Sequence, residues 1–185
     1  EERIRVKLPV IDNQGDGVWA RFSTPDAADS RGWVNRPEVG DEVVVGFLND
    51  DPRYPVILGS LFSSAKPSPI QPEEANKEKG YQSRSGMKFV FDDDKVSITT
   101  ETPNGNKIIL SEEEGTILIE DENGNKIELS SDGIKMESAA DINIKATGDV
   151  NIEGVNINVK AQAQLKAEGS AGAEMSTSGQ AVVKG

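Results

Sequence analysis

Apolar and polar residues alternate along this chain in short runs with a period of two, and the spacing of the runs changes along it. Arg3-Ile-Arg-Val-Lys-Leu8 alternates strictly up to Pro9, the signature of a half-buried strand. Val18–Phe22, a short segment from Gly32, and residues 42–48 and 55–62 read as further strands, the last two joined by a polar hairpin tip at 49–54. About five strands in sixty residues predict a small barrel over 1–62. Residues 63–84, SSAKPSPIQPEEANKEKGYQSR, are rich in Pro, Ser and charge. That composition predicts a linker with at most a short helical turn around 73–79.

From residue 85 the alternation acquires a longer period. Gly86, Gly105 and Gly124 stand nineteen residues apart, and Lys88/Lys107/Lys126, Phe89/Ile108/Ile127 and Phe91/Leu110/Leu129 run in step with them. Ile98, Ile117 and Met136 keep the same spacing. Over 85–140 each unit therefore reads strand, acidic turn, strand, Asn-Gly type turn. The tetrad Asn-Gly-Asn-Lys at 104–107 and 123–126 is read as turn chemistry, because a tight turn needs a positive φ that such residues tolerate. Over 141–185 the unit shortens to about eight residues, as in DINIKATG, DVNIEGV and NINVKAQA. Alternation there assigns Ile142, Ile144, Val150, Ile152, Ile157, Val159, Ala161, Ala163, Leu165, Ala167 and Met175 to the inside, the side chains shrinking from Ile and Val to mostly Ala. AQAQLKAEG contains strong helix formers, but the alternation inherited from the preceding octads favours strand across 161–180.

A single ribbon of such strands has free edges and a half-covered apolar stripe, and its outer face is too polar to pack on another sheet. Eight residues are too few for one coil of a single-chain solenoid but suit one side of a triangular prism. Three chains wound round a common axis close that prism with no free lateral edge. The expected fold class is thus all-β, a small N-terminal barrel followed by an intertwined trimeric triangular β-helix. At ~4.8 Å between strands, a dozen layers make a rod on the order of 50–60 Å, narrowing toward Gly185.

Composition sharpens this picture. Of 185 residues only 35% are hydrophobic and 5% aromatic, with nothing aromatic after Phe91, so a conventional core spanning the whole chain is not expected. There is no cysteine and no histidine. That removes disulfides, thiol chemistry, the commonest general base and most transition-metal sites. The net charge of −12 repels phosphate backbones and anionic membranes. No apolar run reaches the length of a membrane span, and the start EERIRVKLPV is not read as a signal peptide. The absence of an initiating Met is consistent with a piece of a longer protein.

Candidate chemistry is sparse. Asp92, Asp93 and Asp94, like Glu112, Glu113 and Glu114, form carboxylate clusters that read as solvated turns before they read as acid/base pairs. Trp19 and Trp33 suit an aromatic core or a trimer interface better than a stacking platform in so acidic a chain. No catalytic, cofactor-binding or metal-ligating residue is assigned, and no cofactor is expected.

GVWARFSTP, then GWVNRPEVGDEVVVGFLNDDPRYPVILGSLF, resembles the OB-fold module of phage baseplate spikes, VgrG proteins of type VI secretion and extracellular contractile injection systems. SRSGMKFVFDDD and the repeats that follow resemble the β-prism of the same proteins. The resemblance implies an OB-fold barrel, then a homotrimeric, non-enzymatic spike that pierces a target envelope. It also implies a PAAR-like tip protein at the C-terminal end, docking around Ala181, Val182, Val183, Lys184 and Gly185, and hub and tube proteins on the N-terminal side. Assembly in the bacterial cytoplasm and delivery as part of the injection particle follow from the same likeness. The chain departs from the fullest family pattern in having no hub domain, no effector insertion and no histidine for a metal-capped tip. Two other readings stand beside this one: a trimeric β-helical tailspike that degrades polysaccharide, and an OB-fold binding module.

Overall fold

The structure, a computed structural model, describes residues 2–11 and 14–182. Apart from a 3-10 turn at Leu48–Asp50, every regular element among them is a β-strand. The chain divides into two units, Glu1–Asp141 and Ile142–Gly185.

The first strands are β1 (Arg3–Val6), β2 (Val18–Phe22), the short hairpin β3 (Ala27–Ala28) and β4 (Arg31–Gly32), β5 (Glu42–Phe47) and β6 (Pro55–Leu61). Four of them form one sheet in the order β1-β2-β6-β5. The β1–β2 and β5–β6 pairs are antiparallel, β2 and β6 run parallel, and β5 carries a bulge between Val44 and Val45. Alternation puts Val6, Ala20 and Ile57 in the core, with Ile4, Phe22, Val43 and Val45 packed around them. This core is small. Trp19, next to buried Ala20 in β2, lies on the outer face at 57% exposure, and Trp33 is 61% exposed. Neither tryptophan is a core residue, which corrects the aromatic-core reading. A strand has room for only one of two successive side chains on its inner face.

The remaining strands, β7 (Glu78–Gln82), β8 (Lys88–Asp92), β9 (Ser97–Glu101), β10 (Lys107–Ser111), β11 (Thr116–Glu120), β12 (Lys126–Ser130) and β13 (Gly133–Glu137), form a seven-stranded meander in sequence order. Every neighbouring pair is antiparallel. The nineteen-residue spacing is thus one hairpin repeated, two strands and two turns to a unit. β7 lies inside the segment that composition marks as linker. Its sequence, Glu-Lys-Gly-Tyr-Gln, has no apolar alternation, and the strand exists because β8 offers a backbone to pair with. A Cβ at Gly80 would stand 2.4 Å from the Phe89 carbonyl oxygen, so only glycine permits that approach. The ladders of 78–137 all close between strands that are neighbours in the sequence.

Beyond Glu137 the described residues form neither strand nor helix, and from Ile142 to Val182 all are exposed. The strands expected across 141–182 do not form within a single chain. Each octad would need a neighbouring backbone to ladder with, and none of the described residues from Ile142 on belongs to a sheet.

Candidate assembly interface

Register divides the meander into two unlike faces. On one face the side chains fall into two rows that cross all seven strands. The first row is Tyr81, Phe89, Thr100, Ile108, Ile119, Ile127 and Met136, and the second is Lys79, Phe91, Ile98, Leu110, Ile117, Leu129 and Ile134. Phe89 and Phe91 meet edge to face with ring centroids 4.9 Å apart, a favoured aromatic geometry. Phe89, Phe91, Ile108, Leu110, Ile117 and Ile119 are each between 41 and 45% exposed. A contiguous apolar surface on one chain makes this the candidate association face. Ile119 and Ile134 were not singled out from the nineteen-residue spacing, although alternation within β11 and β13 carries the signal for both.

The opposite face is charged along one edge. Lys88, Glu101, Lys107, Glu120, Lys126 and Glu137 follow one another from strand to strand. Ion pairs close between Lys88 and Glu101 at 3.7 Å, Lys107 and Glu120 at 3.2 Å, and Lys126 and Glu137 at 3.1 Å. Each lysine of this row thus has a glutamate across the ladder, the favourable arrangement for a cross-strand pair. The hydrogen bonds from Lys135 and Lys126 hold the Glu137 carboxyl below its usual range, and Glu137 in turn raises Lys126. A slip of one residue would carry the lysines onto the apolar face, so the two faces together fix the register.

The turns account for the acidic clusters and for the repeated tetrad. The Asp92 carboxylate accepts from the backbone N–H groups of Asp94 (3.0 Å) and Lys95 (3.1 Å), which lower its pKa. Asp93 pairs with Lys79 across the β7–β8 hairpin. In the next unit Ser111 Oγ accepts from Glu114 N at 3.1 Å. Asp92 and Ser111 thus serve as turn caps, and among the described residues no group of three His, Cys, Asp or Glu side chains is placed to hold a metal ion. In the Asn-Gly pairs only the glycines, Gly105 at φ 95° and Gly124 at φ 84°, take the left-handed conformation; the asparagines before them do not.

On the barrel, a cleft is lined by Arg21, Thr24, Arg31, Trp33, Val34 and Arg36 among others. Arg31 Nη1 donates to both carboxylate oxygens of Asp26 at 2.7 and 2.8 Å, and Arg36 forks onto Glu2 through Nη2 and Nε at 2.6 and 2.8 Å. Two of the three arginines are therefore committed to carboxylates, and a groove that binds phosphates by charge is not what this cleft offers.

Of the residues assigned inward from sequence, Ile142, Ile144, Val150, Ile152, Ile157, Val159 and Leu165 are all 53–74% exposed in the single chain. Ala181 and Val182 are exposed as well. Val183, Lys184 and Gly185, the rest of the expected tip-docking group, lie outside the described residues. Among the described residues no regular element brings these positions together with one another.

Residues 1–62 match the family described as the type VI secretion system/phage-baseplate injector OB domain. Residues 95–182 match the phage baseplate V C-terminal trimerisation domain. Among curated proteins the chain is 32% identical over 73 residues to the type VI secretion system spike protein VgrG1c of Pseudomonas aeruginosa, covering 40% of this chain and 10% of that one. Type VI secretion system spike protein VgrG3 of Vibrio cholerae is 32% identical over 71 residues, 36% of this chain and 7% of its own. The V. cholerae protein named actin cross-linking toxin VgrG1 is 35% identical over 66 residues, 35% of this chain and 6% of its own. The matched region spans about a tenth or less of these relatives' length.

Proposed function

The chain belongs to the VgrG and phage-baseplate spike family, and on that premise we propose that it is the shaft of a homotrimeric spike at the tip of a contractile injection machine. In this reading three copies stand around one axis with the apolar rows of 78–137 turned inward. The octads of 142–182 wind about each other, with Ile142, Ile144, Val150, Ile152, Ile157, Val159 and Leu165 on the axis. The observation that carries the proposal is the pair of apolar rows left uncovered on one face of the meander. The match of 95–182 to a trimerisation domain supplies the number of copies.

The work of such a rod is mechanical. A spike loaded along its axis resists failure when many backbone hydrogen bonds, each contributing only ~1 kcal/mol net, must break together, and its useful stability is then a slow rate of unfolding. The barrel of 1–62 faces the hub and tube side, a PAAR-like tip protein seats on the C-terminal end around 181–185, and puncture of a target envelope requires no catalytic residue in this chain. The particle leaves the bacterial cytoplasm by contraction. Ile152→Asp places three carboxylates on the proposed axis, so sedimentation should find the variant dissociated while its barrel stays folded. A stable Ile152→Asp trimer would place Ile152 on the outer face and contradict the assignment.

A further inference from the structure

The three hairpin turns that carry the nineteen-residue spacing are built alike but joined differently. In each, the first and fifth loop residues close the turn through the backbone: Ser83 N donates to Met87 O at 2.8 Å, Thr102 N to Asn106 O at 2.9 Å, and Asp121 N to Asn125 O at 3.0 Å. The fifth residue is methionine in the first turn and asparagine in the other two. Asn106 Nδ2 donates back to Thr102 Oγ1 at 3.2 Å, while its Oδ1 accepts from Glu122 N of the following turn at 3.3 Å. This single, long bond stitches one turn of the meander to the next.

Asn125 makes the same bridge with shorter bonds and to a different end. Its Nδ2 donates to Asp121 Oδ2 at 2.7 Å, and its Oδ1 accepts from Ser138 Oγ at 2.7 Å and Ala139 N at 3.0 Å. Asp121 Oδ1 is held in turn by the backbone N–H groups of Asn123 and Asn125, both at 2.9 Å. Ser138 Oγ also accepts from Ala140 N at 3.1 Å. β13 is the last strand of the sheet, so what Asn125 grips is the chain leaving the meander.

We propose that Asn125, oriented by Asp121, is the positioning residue that ends the meander: it latches the chain at Ser138 and Ala139 and so fixes the point from which the octads of 142–182 are released to neighbouring copies. The second half of this statement rests on the trimer reading; the latch itself does not. The orientation follows from donor and acceptor inventory. An ionised Asp121 only accepts, so it draws the Asn125 NH₂ toward itself and turns the amide oxygen to the two donors on the departing chain. With the amide reversed, an NH₂ would face Ala139 N–H and an oxygen would face a carboxylate, and both contacts would be lost.

The test is amide hydrogen exchange at Ala139 in the full chain, read beside solution mass. Asn125→Ala should speed exchange at Ala139 roughly tenfold while amides in β10 and β11 keep their protection, which reports that the sheet remains folded. Asn125→Asp sets two acceptors against each other and should do the same. The double exchange D121N/N125D turns the pair round, with a donor at 121 and an acceptor still facing Ser138 and Ala139. It should restore slow exchange, an outcome that a merely space-filling role does not produce. Unchanged exchange at Ala139 in Asn125→Ala, or failure of the double exchange to restore it, overturns the latch. A wild-type chain that is monomeric yet loses Ala139 protection in Asn125→Ala keeps the latch and removes its role in assembly.

Discussion

Val96 has φ 47°, the left-handed conformation that a β-branched residue enters only under strain. Nineteen residues later the same place in the repeat is held by Gly115, at φ 61°. Val96 is also 60% exposed, so little packing is lost if its side chain is removed. Val96→Gly is expected to stabilise the β8–β9 turn by about 1 kcal/mol, checked by urea unfolding at fixed protein concentration. Asp121 offers a second residue-scale prediction. The side-chain hydrogen bond from Asn125 leads the causes that lower its pKa from 3.8 to about 2. Because the folded value lies below the unfolded one, its contribution to the turn is complete above pH 3.8 and is lost as the pH falls toward 2. In Asn125→Ala the Asp121 carboxyl should titrate closer to 3.8, as followed by NMR; an unmoved titration would show that Asn125 does not set it. The glycine positions of these turns were legible in the sequence because positive φ leaves few residue choices. The bond from Asn125 to Ala139 was not, since it spans fourteen residues and depends on how successive turns stack.

At the scale of elements, the repeated hairpin could be read from spacing alone, because a period of nineteen with alternation inside it leaves one strand-turn-strand solution. β7 could not, having borrowed its conformation from β8. The parallel pairing of β2 with β6 was equally hidden, since it joins strands far apart in sequence and alternation says nothing about which strands are neighbours. The two faces of the meander should respond differently to substitution. Ile117→Asp, on the apolar face at 42% exposure, leaves the cross-strand backbone bonds in place and should prevent association while circular dichroism still reports strand. Lys107→Ala breaks one partly exposed pair with Glu120 and should cost less than about 1 kcal/mol, without changing the assembly state. Dissociation by Lys107→Ala but not by Ile117→Asp would mean that the charged face is the one that meets other copies.

For the molecule as a whole, exposure is the informative quantity. The barrel has a core of its own around Ile57, whereas the meander has an uncovered apolar face and the segment from Ile142 has no ladder. On the trimer reading proposed above, the alternation that assigned Ile142, Ile152 and Val159 inward describes a surface that other copies cover. That is why the candidate interface was visible in the sequence as a pattern and is visible in the single chain only as exposed side chains. A monomer this open would be a poor two-state folder, and three copies closing on one another bury what each leaves out. Light scattering on the purified chain tests this most directly. The account predicts three copies of the 19.9 kDa chain, about 60 kDa, with no loss of mass on dilution. A folded particle of 19.9 kDa whose strands from Glu78 onward remain protected would contradict it.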